Sequence, residues 1–211
     1  MPGDGAVQSG FAGMNPLRAI RTGLWAAAGV AAVLAMAVWL GWWQETSRND
    51  RSINNRSFQM TDHTGRPVTH ADFEGKPSLL FFGFLSCPEI CPTTLGEISS
   101  WLNDLGADAD RLNVLFVTVD PKRDTPGELA AYLSSFDPHI RGLSGTAAQL
   151  SAMSRNYGFF YAEMPMEDGD YTMQHTSSVL LLDAGLQLVT TIDYHEDRKV
   201  VMPKLRRLLA S

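Results

Sequence analysis

Cysteine is scarce in this chain, with two in 211 residues, and so few exclude a disulfide framework standing in for a hydrophobic core. The pair is then either one local bridge or a site. Positive charge is short as well: 17 lysines and arginines stand against 23 acidic residues for a formal net charge of -6, and no basic run exceeds Arg206-Arg207. The chain therefore offers no field for a phosphate backbone, and nucleic acid is not an expected partner. No internal repeat is present. The charged fraction is 19 % against 45 % hydrophobic, the balance of a globular chain, at a length that suits one anchored domain.

What is there begins with anchoring. Residues 1–23 are rich in glycine and alanine, low in charge and without apolar period, and read as a short cytoplasmic tail. Residues 24–43, LWAAAGVAAVLAMAVWLGWW, carry no charge and end in Trp39, Trp42 and Trp43. That is the length and the interfacial aromatic belt of a single transmembrane helix. The run exceeds the apolar region of a signal peptide and no small-x-small cleavage site follows it, so the reading is a retained anchor. Arg18 and Arg21 precede it and Arg48, Arg51 and Arg56 follow it, so the basic residues do not settle its orientation. Residues 44–57 form a polar linker, and residues 58–211 the folded domain.

Within that domain, FQMTDHTGRPVT reads as a hairpin turning at Thr64-Gly65, SLLFFGFL as a buried central strand and RLNVLFVTVD as a second. Pro92 at a first-turn position and a Thr94-x-x-Glu97 capping box predict a helix with Leu95, Ile98, Trp101, Leu102 and Leu105 on one face, ended by Gly106. Asp124-Thr125-Pro126 opens a helix through Phe136, and Thr146 caps another that Gly158 stops. TMQHTSSVLLLD reads as one strand and LQLVTTID as the next; the closing helical segment contains Pro203, which should kink it or mark its start. Alternating strands and helices that end in a hairpin plus helix predict a three-layer α/β sandwich with a mixed sheet.

Both cysteines fall in GFLSCPEICPTTL, where the strand hands over to the helix. Cys87 and Cys91, four apart, can share one metal ion or close a small disulfide loop. With Cys91 as the helix cap, the helix dipole would favour its thiolate. Two soft sulfurs suit Cu(I) or Zn²⁺, and either metal needs a further donor. Of five histidines, His63, His70, His139 and His195 fall at turns, loops and element ends, the places of surface or capping residues. His175 lies instead at the start of the strand expected beside the cysteine-bearing one.

With those residues in view, the chain resembles the Sco/SenC copper proteins, in GFLSCPEICPTTL, VTVDPKRDTPGELAAYLSSF and YTMQHTSSVLLLD, in that order, over nearly everything from Phe58 onward. The resemblance implies a thioredoxin-like domain behind one transmembrane anchor, with Cys87, Cys91 and His175 as ligands of Cu(I) or Cu(II). It places Asp120, Arg123 and Asp124 in the loop near that site; a helix-start turn held by an Arg-Asp pair is the plainer reading of the same residues. It implies a metallochaperone more than an enzyme, delivering copper to the binuclear site of the copper-bearing subunit of cytochrome c oxidase. Another copper chaperone or a thioredoxin-like reductant would be a further partner. Two departures stand out: Leu85-Ser86 precede the first cysteine, and Gln174 holds the place where the family often has an acid before the histidine. Met164, Met166 and Met173 flank the insert before His175 and are auxiliary copper candidates, or packing residues.

The rival function is a thiol-disulfide oxidoreductase acting on cysteines of a partner, such as those of the oxidase subunit. The Cys-x3-Cys spacing and the absence of a proline near His175 lean away from it. The family places the domain on the outer face of a bacterial inner membrane, facing the periplasm, or in the mitochondrial intermembrane space. The tail lacks the Arg-rich and Ser-rich composition of a transit peptide, which favours the bacterial setting.

Overall fold

Every residue of Ser78–Gly83 is buried, and the structure, a computed structural model describing residues 32–37, 58–167 and 169–210, places that run inside its main sheet. Numbered along the chain, the strands are β1 (Gln59–Asp62), β2 (Pro67–Thr69), β3 (Ser78–Gly83), β4 (Asn113–Thr118), β5 (Ile140–Ser144), β6 (Tyr161–Pro165), β7 (Tyr171–His175), β8 (Val179–Leu182) and β9 (Leu188–Ile192). The helices among them are α1 (Ile90–Leu105), α2 (Pro126–Leu133), α3 (Ala147–Tyr157) and α4 (Arg198–Leu209). The chain divides into two units, Met1–Ser52 and Ile53–Ser211, and all of these elements belong to the second. In the first, residues 32–37 are helical, with Val33, Leu34 and Met36 exposed. The expected tail, linker and remainder of the 24–43 span lie outside the described residues, among which no helix is long and apolar enough to cross a membrane.

The main sheet runs β2-β1-β5-β4-β3-β8-β9. β3, β4 and β5 are parallel to one another, and the remaining pairs are antiparallel, so the sheet is mixed as expected. Parallel neighbours need crossovers that cover the sheet, which is why β3 and β4 are apolar on both faces. Phe81, Phe82, Phe116, Leu95, Ile98 and Leu129 are each at most 1 % exposed in one core, and burying a side chain of this size is worth roughly 1.5–3 kcal/mol. The β1–β2 hairpin turns at Gly65, whose φ of 84° suits glycine. Asp62 closes that turn by accepting from the Thr64 hydroxyl and from the Thr64 and Arg66 amides. Burial opposes its ionisation, yet these bonds and the Arg66 charge hold its pKa below the usual carboxylate value.

Local signals decided most helix ends. Thr125 and Thr146 each cap their helix in a reciprocal box with Glu128 and Gln149. Gly106 and Gly158 end α1 and α3 at positive φ. Three expectations need correction. First, α1 begins at Ile90, so Cys91 and Pro92 are its second and third residues. First-turn amides have no acceptor within the helix, so proline fits there as well as at the first position. Thr94 is then interior, its hydroxyl buried without a partner, and Glu97 meets His195 at 3.1 Å instead of closing a box. Second, TMQHTSSVLLLD is two strands: β7 pairs with β6 in a separate two-stranded sheet, and β8 pairs with β3. Third, α2 stops at Leu133, short of Phe136. Pro203 lies inside α4, whose start is set by the Asp197 carboxylate accepting from the Lys199 amide.

Candidate metal centre

β3 ends at Gly83, and the Cys87 amide donates to the Phe84 carbonyl at 3.2 Å, turning the chain so that the cysteine faces inward. The Cys91 amide donates to the Cys87 sulfur at 3.3 Å, and Cys91 Sγ lies 3.6 Å from His175 Nε2. These three ligand atoms lie within 4.8 Å of one another, the one such group of histidine, cysteine and acid ligands among the described residues. Both thiols are free, with Cys87 9 % exposed and Cys91 fully buried. A cavity of about 590 Å³ lies elsewhere, at the opening ends of β4 and β5, with Arg66, Arg141, Asp62 and Asp110 among its lining. It contains none of the three ligand residues.

Electrostatics correct which sulfur is the thiolate. The Cys91 thiol donates to Cys87, and although burial opposes it, this bond and the Cys91 and Glu89 amides lower the Cys87 pKa to about 5. The helix start thus aims its free amides back at Cys87. Cys91 is pushed far up, because ionising it would lose that hydrogen bond and because it is buried. The opposite directions favour loss of the pair's first proton from Cys87 and hold the second at Cys91. Tyr132 is raised to about 12, first by burial and then by the negative charge of the cysteine pair and Asp124.

His175 is held in one tautomer. Its Nδ1 donates to the Thr176 carbonyl at 2.8 Å, which leaves the Nε2 lone pair turned toward the sulfurs. The ring stands edge-on to Phe84 and Phe81, with centroids 5.8 and 6.4 Å away. Gln174 is exposed, on the strand face opposite His175. The missing acid therefore leaves the inward face unchanged, and a backbone carbonyl orients the imidazole.

The loop after β4 is both a helix start and a grip on the site. Asp124 accepts from the Thr118 hydroxyl at 2.5 Å and from the Leu85 amide at 3.1 Å, two residues before Cys87. Burial raises its pKa against those bonds. Asp120 is buried and pairs with Arg123, which reaches across to Tyr171. The methionines do not converge. Met173 is buried opposite Glu163, whereas Met164 pairs with Thr172 on the other hairpin face and is exposed, as is Met166. His63 accepts from the Gly142 amide, His139 bridges Asp110 and Asp137, and His195 meets Glu97, all structural posts. Sequence reasoning missed Tyr171, Thr176, Phe84 and Gly83. Only Gly83 carried a signal, as a glycine inside an apolar strand.

A family model described as SCO1/SenC matches residues 46–210. The mouse mitochondrial SCO2 homolog is 31 % identical over 176 residues, covering 80 % of this chain and 69 % of that protein. Mitochondrial SCO1 of Saccharomyces cerevisiae is 35 % identical over 151 residues, covering 70 % and 51 %. The chain thus spans between about half and seven-tenths of the length of these relatives. Among solved structures, ScoI of Bradyrhizobium japonicum with copper bound aligns with a TM-score of 0.67 at 43 % identity, over 72 % of this chain and 97 % of that one. Yeast Sco1 with copper bound aligns at 0.67 and 34 % identity, over 74 % and 87 %. These neighbours bear out a thioredoxin-like α/β fold with a mixed sheet.

Proposed function

The chain belongs to the SCO1/SenC family, and from that premise we propose that it is a copper carrier, taking the metal on the Cys87 and Cys91 sulfurs and His175 Nε2 and delivering it to the copper-bearing subunit of cytochrome c oxidase. The observation that carries this is the convergence of those three atoms within 4.8 Å in a chain similar to proteins solved with copper bound. The donor set fits the metal: thiolates suit Cu(I), and an imidazole alongside them lets Cu(II) be held as well. Release fits too. Ser86, Pro88, Glu89 and Ile90 are exposed around the buried sulfurs, so ligands of a partner can approach from the loop side.

His175→Ala tests the site. The parent should bind one copper per chain with a sulfur-to-Cu(II) charge-transfer band, and the variant should lose the band and the Cu(II) while keeping Cu(I). A variant that binds Cu(II) as the parent does would remove the three-ligand reading. A second reading, a thiol-disulfide oxidoreductase, is favoured by the low Cys87 pKa of about 5 beside a second free thiol. Reduction of a partner disulfide that survives in His175→Ala would support it.

We further propose that residues 24–43 anchor the carrier in a bacterial inner membrane, with residues 58–211 on the periplasmic side. The mitochondrial names of several relatives support the mitochondrial inner membrane as the second setting. A reporter active only outside the cytoplasm, fused after Ser211, should be active in bacteria. An inactive, expressed fusion reverses the orientation.

A further inference from the structure

The strand that delivers His175 is not a member of the main sheet. β7 is hydrogen-bonded to β6 alone, so the seven-stranded ladder that places β3 and the cysteine loop does not place the histidine. Alternation along β7 turns Tyr171, Met173 and His175 to one face, and Met173 is buried on it. What holds that face at its first residue is specific. The Tyr171 hydroxyl donates to Asp120 Oδ1 at 2.9 Å, Arg123 Nη1 donates to the Tyr171 carbonyl at 2.9 Å, and the guanidinium lies 3.9 Å from the phenol ring centroid. Arg123 Nε pairs with the other Asp120 oxygen. Asp120 is itself 2 % exposed, its amide donating to the Thr118 hydroxyl at 2.9 Å, so the anchor point is rigid.

We propose that Tyr171 is a positioning residue for His175: a latch that fastens the histidine strand to the 120–124 loop and so sets where Nε2 stands relative to the sulfurs. This rests on the copper reading given above. The same loop grips the cysteine side, through Asp124 and the Leu85 amide. One turn thereby joins the two halves of a site whose ligands are otherwise carried by separate sheets. Met173 adds apolar burial on the same face, and Asp170 adds a second, longer pair with Arg123 at 3.4 Å, but neither is a buried hydrogen bond to the loop. Lys122 with Glu163 is an exposed ion pair, and the bonds between Thr176 and Phe160 lie within the hairpin and do not fix it to the body. Metal–ligand bonds tolerate errors of only about 0.2 Å. A hinge of β7 by far less than one residue spacing therefore removes the imidazole while leaving the two thiolates in place.

Tyr171→Phe isolates the latch, because it keeps the ring on Arg123 and removes only the hydroxyl. Cu(II), which depends on the imidazole, should bind about 10–100-fold more weakly, the range for loss of a group that orients a ligand. The charge-transfer band should shift or fade, while Cu(I) affinity stays within about threefold of the parent on its two thiolates. Asp120→Asn, whose amide oxygen is a weaker acceptor and carries no charge against Arg123, should move both readouts the same way by less, and it decides the matter if Tyr171→Phe folds poorly by circular dichroism. Parental Cu(II) affinity and spectrum in both variants overturn the proposal, as does an equal loss of Cu(I) and Cu(II). Unchanged Cu(II) binding in His175→Ala, measured alongside, places the failure in the copper reading instead.

Discussion

Cys91→Ala should abolish stoichiometric Cu(I) binding, and in the parent that binding should release about one proton per metal at pH 7. The expectation follows from the asymmetry of the pair. Cys87, at about 5, is already a thiolate at neutral pH, whereas Cys91 keeps its proton until the metal displaces it. Affinity should therefore climb about tenfold per pH unit above pH 5, and about a hundredfold per unit below it, where both sulfurs must give up a proton. Removing Cys91 takes away both the second sulfur and the hydrogen bond that makes Cys87 acidic, so the Cys87 pKa should rise toward the ordinary thiol value in the variant. Competition with a Cu(I) chelator across pH, and calorimetry in two buffers of different ionisation heat, measure these quantities. Release of two protons at pH 7 would show that Cys87 is not ionised in the folded protein.

Gly83→Ala should destabilise the domain by about 1–3 kcal/mol, the usual cost of overpacking a filled core, and should weaken copper binding in the molecules that remain folded. A Cβ on Gly83 would lie 2.7 Å from a Phe116 ring carbon and 2.8 Å from Cys91 Sγ. Neither neighbour can yield cheaply. Phe116 is fully buried against the Phe81 and Tyr132 rings, and Cys91 is fully buried in the first turn of α1. The methyl group must therefore displace a metal ligand or an aromatic ring. For a domain of this size each kcal/mol lowers Tm by about 2–4 °C. Gly96, exposed on α1 with nothing within 4 Å of an added Cβ, is the control; alanine there should stabilise by about 0.5–1 kcal/mol. Urea unfolding compares the two, and equal midpoints would mean that the space beside Gly83 relaxes without cost.

Gly83 also shows where sequence reasoning stops. A glycine in an apolar strand announces a close approach but not what approaches. Here it is the sulfur of Cys91 and the ring of the neighbouring strand, a contact set by the register that pairs Phe81 with Phe116 and Gly83 with Thr118. Thr94 and Glu97 teach the reverse lesson. Their spacing satisfies a capping box, yet the helix starts at Ile90, five residues before a Thr94 cap would start it, because the turn at Phe84–Cys87 and the burial of Cys91 fix its first turn. Asp120 and Arg123 read as a helix-start pair, and they are one; their reach to Tyr171 spans 48 residues or more and left no local mark.

By itself the sequence determined the features whose causes lie within a few residues: the strand-to-helix junction at the cysteines, the caps at Thr125 and Thr146, the stops at Gly106 and Gly158, and the two-faced apolar strands that require a covered, mixed sheet. Capping bonds, backbone sterics and side-chain periodicity act over one or two turns, so they are written locally. Only the tertiary structure decided that His175 Nε2 stands 3.6 Å from a sulfur 84 residues away, that Cys87 rather than Cys91 is the thiolate, and that the histidine strand leaves the main sheet and is latched at Tyr171. Each depends on groups meeting across strands that are distant in the chain, where burial and donor geometry set both position and charge, and no local pattern encodes those meetings.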